Sequence, residues 1–460
     1  MISKINLEVL KRYDKPGPRY TSYPTAPKFS KDFGPAQFEE ELRQSNKKNQ
    51  GPLSLYFHIP FCDTLCYFCG CTMMVTHERQ KIADYLTYLE KEIQLVTKHV
   101  SKNRPVYQLH WGGGTPTYLN PDEIRHLGSL IQNHFNFDQK ELEASSEIDP
   151  RDLTRDHIVA LKEAGFNRLS MGVQDFEERV QKAVNRLQPE SVTRAAVDWG
   201  RELGFHSINL DLIYGLPFQT LQGFEKTLDK IIEINPDRLA IFNYAHVPWL
   251  KKHMNLIKAE DLPTPDQKLM ILKMTIEKLQ AAGYQYIGMD HFAKPTDELA
   301  IAQKNKTLFR NFQGYSTKAG TEVYAMGMSA ISQLNEVYAQ NAKTLPEYYQ
   351  AISEGHFATS VGYRMNRDDH IRKKVIMTLM CDFELDEKEI EKEFNISFEN
   401  YFAESLPKLA EFINDGFVIR KDKKIFVEGM GRLLIRNIVM VFDAYLGEMM
   451  KEKPVFSRTV

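Results

Sequence analysis

From about residue 53 the chain alternates short runs of β-type residues with longer segments of helical period. The runs begin near Leu53, Val106, Glu141, Asn167, Ser207 and Asp237. Helical patterns follow most of them, over 79–99, 121–135, 190–203 and 220–234. Such alternation predicts a parallel sheet with helices packed outside it. A complete eightfold barrel takes about 250 residues, roughly 31 per strand–helix unit. Six units counted from Leu53 therefore end at approximately residue 240, where the sixth run lies. The expected fold class is α/β, an incomplete six-unit (β/α) barrel with further elements packed across its open side.

The order of residues within each run sharpens this picture. In Leu53–Ile59, Ser54, Tyr56 and His58 share one face, and Leu55, Phe57 and Ile59 share the other. Gln108, His110 and Gly112 oppose Tyr107, Leu109 and Trp111, and Glu143, Ser145 and Glu147 fall together. Arg168, Ser170 and Gln174 oppose Leu169, Met171 and Val173; Ser207, Asn209 and Asp211 oppose Ile208, Leu210 and Leu212. The apolar faces belong under the helices, which turns the polar faces inward. Closed barrels are filled mainly by Val, Ile and Leu, so a polar interior predicts an open cavity for a polar ligand. An antiparallel sheet with one wet face would alternate in the same way, but the helical segments between the runs favour the barrel.

The flanks read differently. Residues 1–50 carry no strong period and form an N-terminal extension, with an extended stretch at 17–24. Residues 346–460 are mostly helical, with a short β-like piece at 424–428. The expected division is an extension over 1–50, a catalytic barrel with its closing elements over 51–345 and a mostly helical domain over 346–460.

Of 460 residues, 42% are hydrophobic and 26% charged, the composition of a soluble globular protein. Lys and Arg number 59 against 61 Asp and Glu, a net charge of -2. This balance argues against general affinity for nucleic acid or for an anionic membrane. No apolar run approaches the ~20 residues of a membrane span. Met1-Ile2-Ser3-Lys4 leads into no apolar stretch, so no secretion signal is expected and the cytoplasm is the expected compartment.

Four of the five cysteines lie within ten residues, at 62, 66, 69 and 71, and Cys381 stands alone. A disulfide framework spreads its cysteines along the chain, whereas this cluster reads as a metal site. Cys62, Cys66 and Cys69 form a C-x3-C-x2-C motif directly after the first strand, where a barrel carries its active-site loops. Three thiolates hold three irons of a cubane cluster and leave the fourth open to a ligand, whereas a pure electron carrier uses four. Cys71 leaves a four-cysteine site open, whether iron–sulfur or structural zinc, although zinc sites more often use two separated pairs. At the end of the second strand, Gly112-Gly113-Gly114-Thr115-Pro116 lets the backbone approach a ligand closely; the plain alternative is a tight turn before a helix.

The cysteine motif and this glycine-rich loop together resemble the radical S-adenosylmethionine (SAM) superfamily. The match is closer to the oxygen-independent coproporphyrinogen III oxidase family. It is carried by Tyr20-Thr21-Ser22-Tyr23-Pro24-Thr25, Tyr56-Phe57-His58-Ile59-Pro60-Phe61-Cys62, Cys69-Gly70-Cys71, His110-Trp111-Gly112-Gly113-Gly114-Thr115-Pro116-Thr117-Tyr118, Met289-Asp290-His291-Phe292-Ala293 and Phe456-Ser457-Arg458.

The resemblance implies a 4Fe-4S cluster on Cys62, Cys66 and Cys69, with Cys71 not a ligand, and two SAM molecules. Tyr56, Gly113, Glu147, Ala245 and Ile331 would contact the first SAM. Phe68, Gly114, Thr115, Gln174, Arg186 and Asp211 would contact the second. No catalytic residue beyond these cofactor ligands is assigned. Tyr56, Glu147, Gln174 and Asp211 had already fallen on the polar strand faces. Taken singly, Glu147 and Asp211 also read as ordinary strand-end carboxylates and Arg186 as a solvated side chain. Tyr20 and Arg458 would gate or bind substrate.

The implied reaction is oxidative decarboxylation of two propionates of coproporphyrinogen III to vinyl groups, giving protoporphyrinogen IX for haem, in a monomer served by a reducing electron-donor protein. A haem-binding chaperone of the same superfamily is the rival reading, but such relatives typically lack the Cys71-type cysteine and the 20–25 segment. One departure is visible: Thr72-Met73-Met74 follows Cys71 where Asn-Lys is expected, which removes a charge near the cluster.

Overall fold

Six strands run parallel and lie side by side in chain order: β1 (Leu53–Ile59), β2 (Pro105–Gly113), β3 (Glu143–Ile148), β4 (Arg168–Gln174), β5 (Ser207–Tyr214) and β6 (Arg238–Asn243). The structure, a computed structural model, describes Ile2 and residues 5–452 and 456–459. Of Met1-Ile2-Ser3-Lys4, only Ile2 is among the described residues. Five helices connect or follow the strands: α1 (Arg79–Thr97), α2 (Pro121–His134), α3 (Arg155–Glu163), α4 (Glu190–Glu202) and α5 (Leu221–Ile234). The six-unit incomplete barrel is thus as the alternation predicts. α2 starts at a reciprocal cap between Asn120 and Glu123 with Pro121 in its first turn, and α5 ends at Asn235 in the left-handed conformation.

The apolar strand faces pack under the helices. Phe57, Leu109, Trp111, Leu169, Met171, Leu210 and Leu212 are all buried in one core. The polar faces point inward as predicted. Gln108, His110, Ser145, Glu147, Ser170, Asn209 and Asp211 line a cavity of about 190 Å3. Its lower end, at the strand N-termini, is sealed by ion pairs. Arg168 pairs with Glu298, and Arg238 Nε donates to Asp297 at 2.9 Å.

Closure across the open side comes from both edges. A seventh parallel strand, β7 (Glu322–Met326), pairs with β1 and continues antiparallel through Ile331–Gln333, Val337–Asn341 and Thr359–Arg364. At the other edge His291–Ala293 runs antiparallel to β6. The main sheet therefore extends beyond residue 345. After it come helix Arg367–Asp382, several shorter helices and a three-stranded antiparallel sheet of Glu384–Asp386, Lys424–Val427 and Val418–Lys421. The β-like piece read at 424–428 is the central strand of that sheet.

The first 50 residues hold more structure than their pattern predicts. Helices form at Leu7–Tyr13 and Pro35–Lys48. The buried side of the second contains Glu41, Ser45 and Asn46 beside Phe38 and Leu42, so it is not read as a core-facing helix from hydrophobicity. The two ends of the chain meet: Gly17 N–H donates to Ser457 O at 3.0 Å, and Thr459 N–H to Lys15 O at 2.9 Å.

Candidate metal and cofactor site

The parallel strands end together at one rim, and the cysteine loop follows β1 there. Cys62, Cys66, Cys69 and Cys71 face one cavity of about 350 Å3. Among the described residues, no three His, Cys, Asp or Glu side chains converge on a point that a single ion could occupy. A cubane asks for less convergence, because each thiolate binds a different iron.

The surroundings of the thiols suit such an anionic cluster. Cys66 Sγ accepts from Arg186 Nη1 at 3.6 Å and from Arg151 Nη2 at 3.7 Å. Both guanidinium groups also hold Asp149, at 3.0 and 2.6 Å. Burial acts to raise the Asp149 carboxyl, but the two arginines outweigh it and hold the group near 2. Burial pushes the Cys62 thiol up to about 12, so iron must displace a proton there on binding. Cys71 lowers Cys69 to about 7 through a side-chain hydrogen bond and so supports a neighbouring thiolate.

The glycine loop is fixed by close approach. A Cβ on Gly113, at φ +120°, would lie 2.7 Å from the His58 ring, and one on Gly114 would lie 2.7 Å from the backbone of Pro60 and Phe61. Gly114 N–H donates to Ile59 O and Thr115 N–H to Phe61 O, both at 2.8 Å, which ties this loop to the cysteine loop. Gly113 N–H donates to Glu147 Oε2 at 3.2 Å, and His110 Nε2 lies 3.5 Å from Glu147 Oε1. Burial acts to raise Glu147, but His110 and the Gly113 amide more than reverse it. Tyr56 stacks on His110 with ring centroids 5.8 Å apart. His58 Nε2 donates to Thr72 O at 2.8 Å, which leaves Nδ1 to accept from the Tyr56 hydroxyl at 3.0 Å.

Several polar atoms on the far side of the cavity lack partners. Gln174, held at φ +68° by a bulge between β4 and β5, buries Oε1 without a hydrogen bond, and Arg186 does the same with Nε. Unpaired buried polar groups are costly, and here they line a space of ligand size. The donor set and these groups fit a bound cluster with a polar ligand beside it.

Comparison with known proteins then decides the family. Residues 56–231 match the radical SAM superfamily model, and residues 365–434 match the HemN C-terminal domain. The chain is 50% identical over 455 residues to the oxygen-independent coproporphyrinogen III oxidase of Escherichia coli, covering 99% of this chain and 98% of that protein. It is 48% identical to the Pseudomonas aeruginosa enzyme of the same name, covering 98% of each. A solved Escherichia coli structure, described as coproporphyrinogen III oxidase (HemN) and a radical SAM enzyme, superposes with a TM-score of 0.92 at 49% identity, covering 97% of this chain and 100% of that one. The chain belongs to the oxygen-independent coproporphyrinogen III oxidase family.

Membership of this oxidase family implies a 4Fe-4S cluster and SAM. The structure brings most of the expected residues to one place. Phe68, Gly114, Thr115, Glu147, Gln174, Arg186 and Asp211 line the cysteine cavity, with Gly113 and Tyr56 adjoining Glu147 and His110. Ala245 instead lines a neighbouring cavity beyond β6, and Ile331 lies in the strand pair beside β7, away from the cysteine cavity lining. Tyr20 is buried and donates to Asp443 at 2.8 Å, whereas Arg458 lines the cavity beyond β6. Sequence reasoning missed Asp149 and Arg151; their signal was a charged pair directly after β3 at the strand rim. It also missed Gln313, which buries both amide heteroatoms unpartnered against the barrel cavity and had no signal in its short loop.

Proposed function

We propose that this protein decarboxylates two propionate side chains of coproporphyrinogen III oxidatively to vinyl groups, yielding protoporphyrinogen IX, without oxygen, in haem biosynthesis. The observation that carries this reading is the shared cavity: Cys62, Cys66 and Cys69 face the same space as Glu147, Gln174, Arg186 and Asp211. When bound, the cluster and SAM supply a 5′-deoxyadenosyl radical, strong enough to remove hydrogen from the unactivated propionate β-carbon.

The protein's own residues hold the reactants and keep water out. Cys62, Cys66 and Cys69 bind iron, and Cys71 supports Cys69 without being a ligand. Glu147, fixed by His110 and the Gly113 amide, is an anionic acceptor for the amino group of a first SAM, with Tyr56 behind it. Ala245 and Ile331 belong to this same set by family resemblance. Phe68, Gly114, Thr115, Gln174, Arg186 and Asp211 form the subsite of a second. Arg186 joins the two regions, since it reaches Cys66 and offers Nε to the cavity.

The substrate belongs beyond β6, in a cavity of about 350 Å3 where Arg19, Lys268 and Arg458 gather beside the chain ends. Lys268 is half-buried, and its hydrogen bond to Tyr244 O is long at 3.5 Å. Burial lowers its pKa, which an anionic propionate would reverse. We take the working form to be a cytoplasmic monomer that receives its electron from a separate protein. The barrel with its closing strands, which run on past the expected boundary at 345 to Arg364, carries the chemistry, between the extension over 1–50 and the mostly helical region that follows.

An anaerobic turnover assay tests the reading. The protein, reconstituted with iron and sulfide, is given dithionite, SAM and coproporphyrinogen III. Protoporphyrin, with about two methionines per molecule, is expected after product oxidation. SAM cleavage without any vinyl product would keep the superfamily and overturn the oxidase reading.

A further inference from the structure

At the end of β4 the alternation of polar and apolar residues breaks. Leu169, Met171 and Val173 are buried on the apolar side of the strand, and the same spacing brings Asp175 next. A carboxylate thus stands where the pattern asks for an apolar side chain. Asp175 is 1% exposed, and its hydrogen-bond donors are all neutral. Thr227 Oγ1 on α5 donates to Oδ1 at 2.6 Å, and the Glu177 backbone N–H donates to the same oxygen at 2.9 Å. Gln219 Nε2, in the loop after β5, donates to Oδ2 at 2.6 Å. Burial pushes the carboxyl up, and these donors pull it down. A buried carboxylate without a cation is costly, so its place calls for a reason.

The donors cannot be rearranged to suit another residue. Gln219 Oε1 accepts from the Leu216 N–H at 2.9 Å, and its Nε2 also donates to Ile213 O at 2.8 Å, so this amide cannot turn over. The Thr227 hydroxyl accepts from the Phe176 N–H at 3.3 Å and so is oriented to donate. An asparagine at 175 would set its NH2 group against either the Gln219 amide or the Glu177 N–H, donor against donor. The position therefore demands a carboxylate.

The backbone shows what this carboxylate secures. Asp175 N–H donates to Val173 O at 2.9 Å, which closes a three-residue turn around Gln174 at φ +68°. This form of the turn is rare and strained, and such strain persists only where the surroundings over-determine it. The bonds on Asp175 tie the turn to α5 and to the loop after β5. The turn sends the Gln174 side chain into the cysteine cavity, where Oε1 is buried without a partner. Gly172 leaves room for it, since a Cβ there would lie 2.6 Å from Gln174 Nε2.

We propose that Asp175, itself outside the cavity lining, is the positioning residue that holds Gln174 against SAM. The inference rests on the assignment of Gln174 to a SAM subsite made above, and it names what fixes that side chain there.

The test measures SAM binding to the reconstituted full chain by anaerobic calorimetry, with the cluster left oxidised so that SAM is not cleaved. The unsubstituted chain is compared with Asp175→Asn, Gln174→Gly and the double variant. Glycine takes a positive φ freely, so Gln174→Gly removes both the amide and the strain that Asp175 restrains. Asp175→Asn should weaken SAM binding about tenfold in the unsubstituted background, and by less than about twofold once residue 174 is glycine. Iron and sulfide content should be equal in all four proteins. The same loss in both backgrounds would overturn the proposal, by reducing Asp175 to a residue of the fold, and so would unchanged affinity in Asp175→Asn. If Asp175→Asn fails to hold a cluster, Thr227→Val takes its place, since it removes one donor and keeps the shape. Its loss should be about threefold in the first background and absent in the second, and the same two outcomes overturn the proposal. SAM binding by Gln174→Gly as tight as that of the unsubstituted chain would instead sink the subsite assignment, and the proposal with it.

Discussion

At the scale of single residues, the division of labour among four neighbouring cysteines follows from what surrounds each. Cys66 sits under two guanidinium groups, whereas Cys71 is exposed and turned toward Cys69. Cys66→Ser should therefore abolish iron binding on reconstitution, while Cys71→Ser should retain a full complement of iron and sulfide by chemical analysis. Asp211 provides a second check. Burial, with the charge of Glu147 adding to it and Asn209 opposing, raises its carboxyl to about 7. Below that pH the group is protonated and loses the negative charge that would face a sulfonium ligand. SAM affinity, measured by calorimetry, should fall as pH drops through about 7, and Asp211→Asn should bind weakly with that dependence removed.

At the scale of elements, the barrel holds its open edge through one buried network. Arg104, just before β2, donates to Glu322 at the start of β7 at 3.0 Å, and both side chains are fully buried. Ser45, on the N-terminal helix Pro35–Lys48, donates to the same carboxylate at 2.6 Å. Removing one member strands the other without solvent. Arg104→Leu should cost about 3–5 kcal/mol, visible as a large drop in the thermal midpoint.

The same network explains what the sequence does and does not disclose. The strands of the barrel were legible because each alternates polar and apolar residues, so period and burial agree. Helix Pro35–Lys48 was not, because the face it buries carries Glu41, Ser45 and Asn46, whose partners Arg364, Glu322 and Tyr324 lie far along the chain. Strands Glu384–Asp386 and Val418–Lys421 are too short to carry a period. In the site, residues on strand faces could be found from pattern. Asp149 and Arg151 lie just past a strand end, where period stops but a charged pair at the rim still marks them, whereas Gln313 sits in a short loop that carries no pattern.

At the scale of the whole molecule, the ends of the chain build one wall of the cavity beyond β6. Pro16 and Arg458 form a β-bridge, and the buried Arg436 donates to the carbonyls of Gly17, Pro18 and Arg458. Ending the chain after Glu452 should therefore leave cluster content and SAM cleavage intact while raising the KM for coproporphyrinogen. A tenfold rise would correspond to about 1.4 kcal/mol of lost binding. This stitching of first residues to last has a consequence for synthesis. Translation proceeds from the N-terminus, and domains fold as they emerge. The barrel can therefore form on the ribosome while Pro16 still waits for its partner. Until the segment around Arg458 has been made, a nascent chain has a radical-generating core whose outer cavity is unwalled, so productive turnover waits on residues far downstream of the barrel.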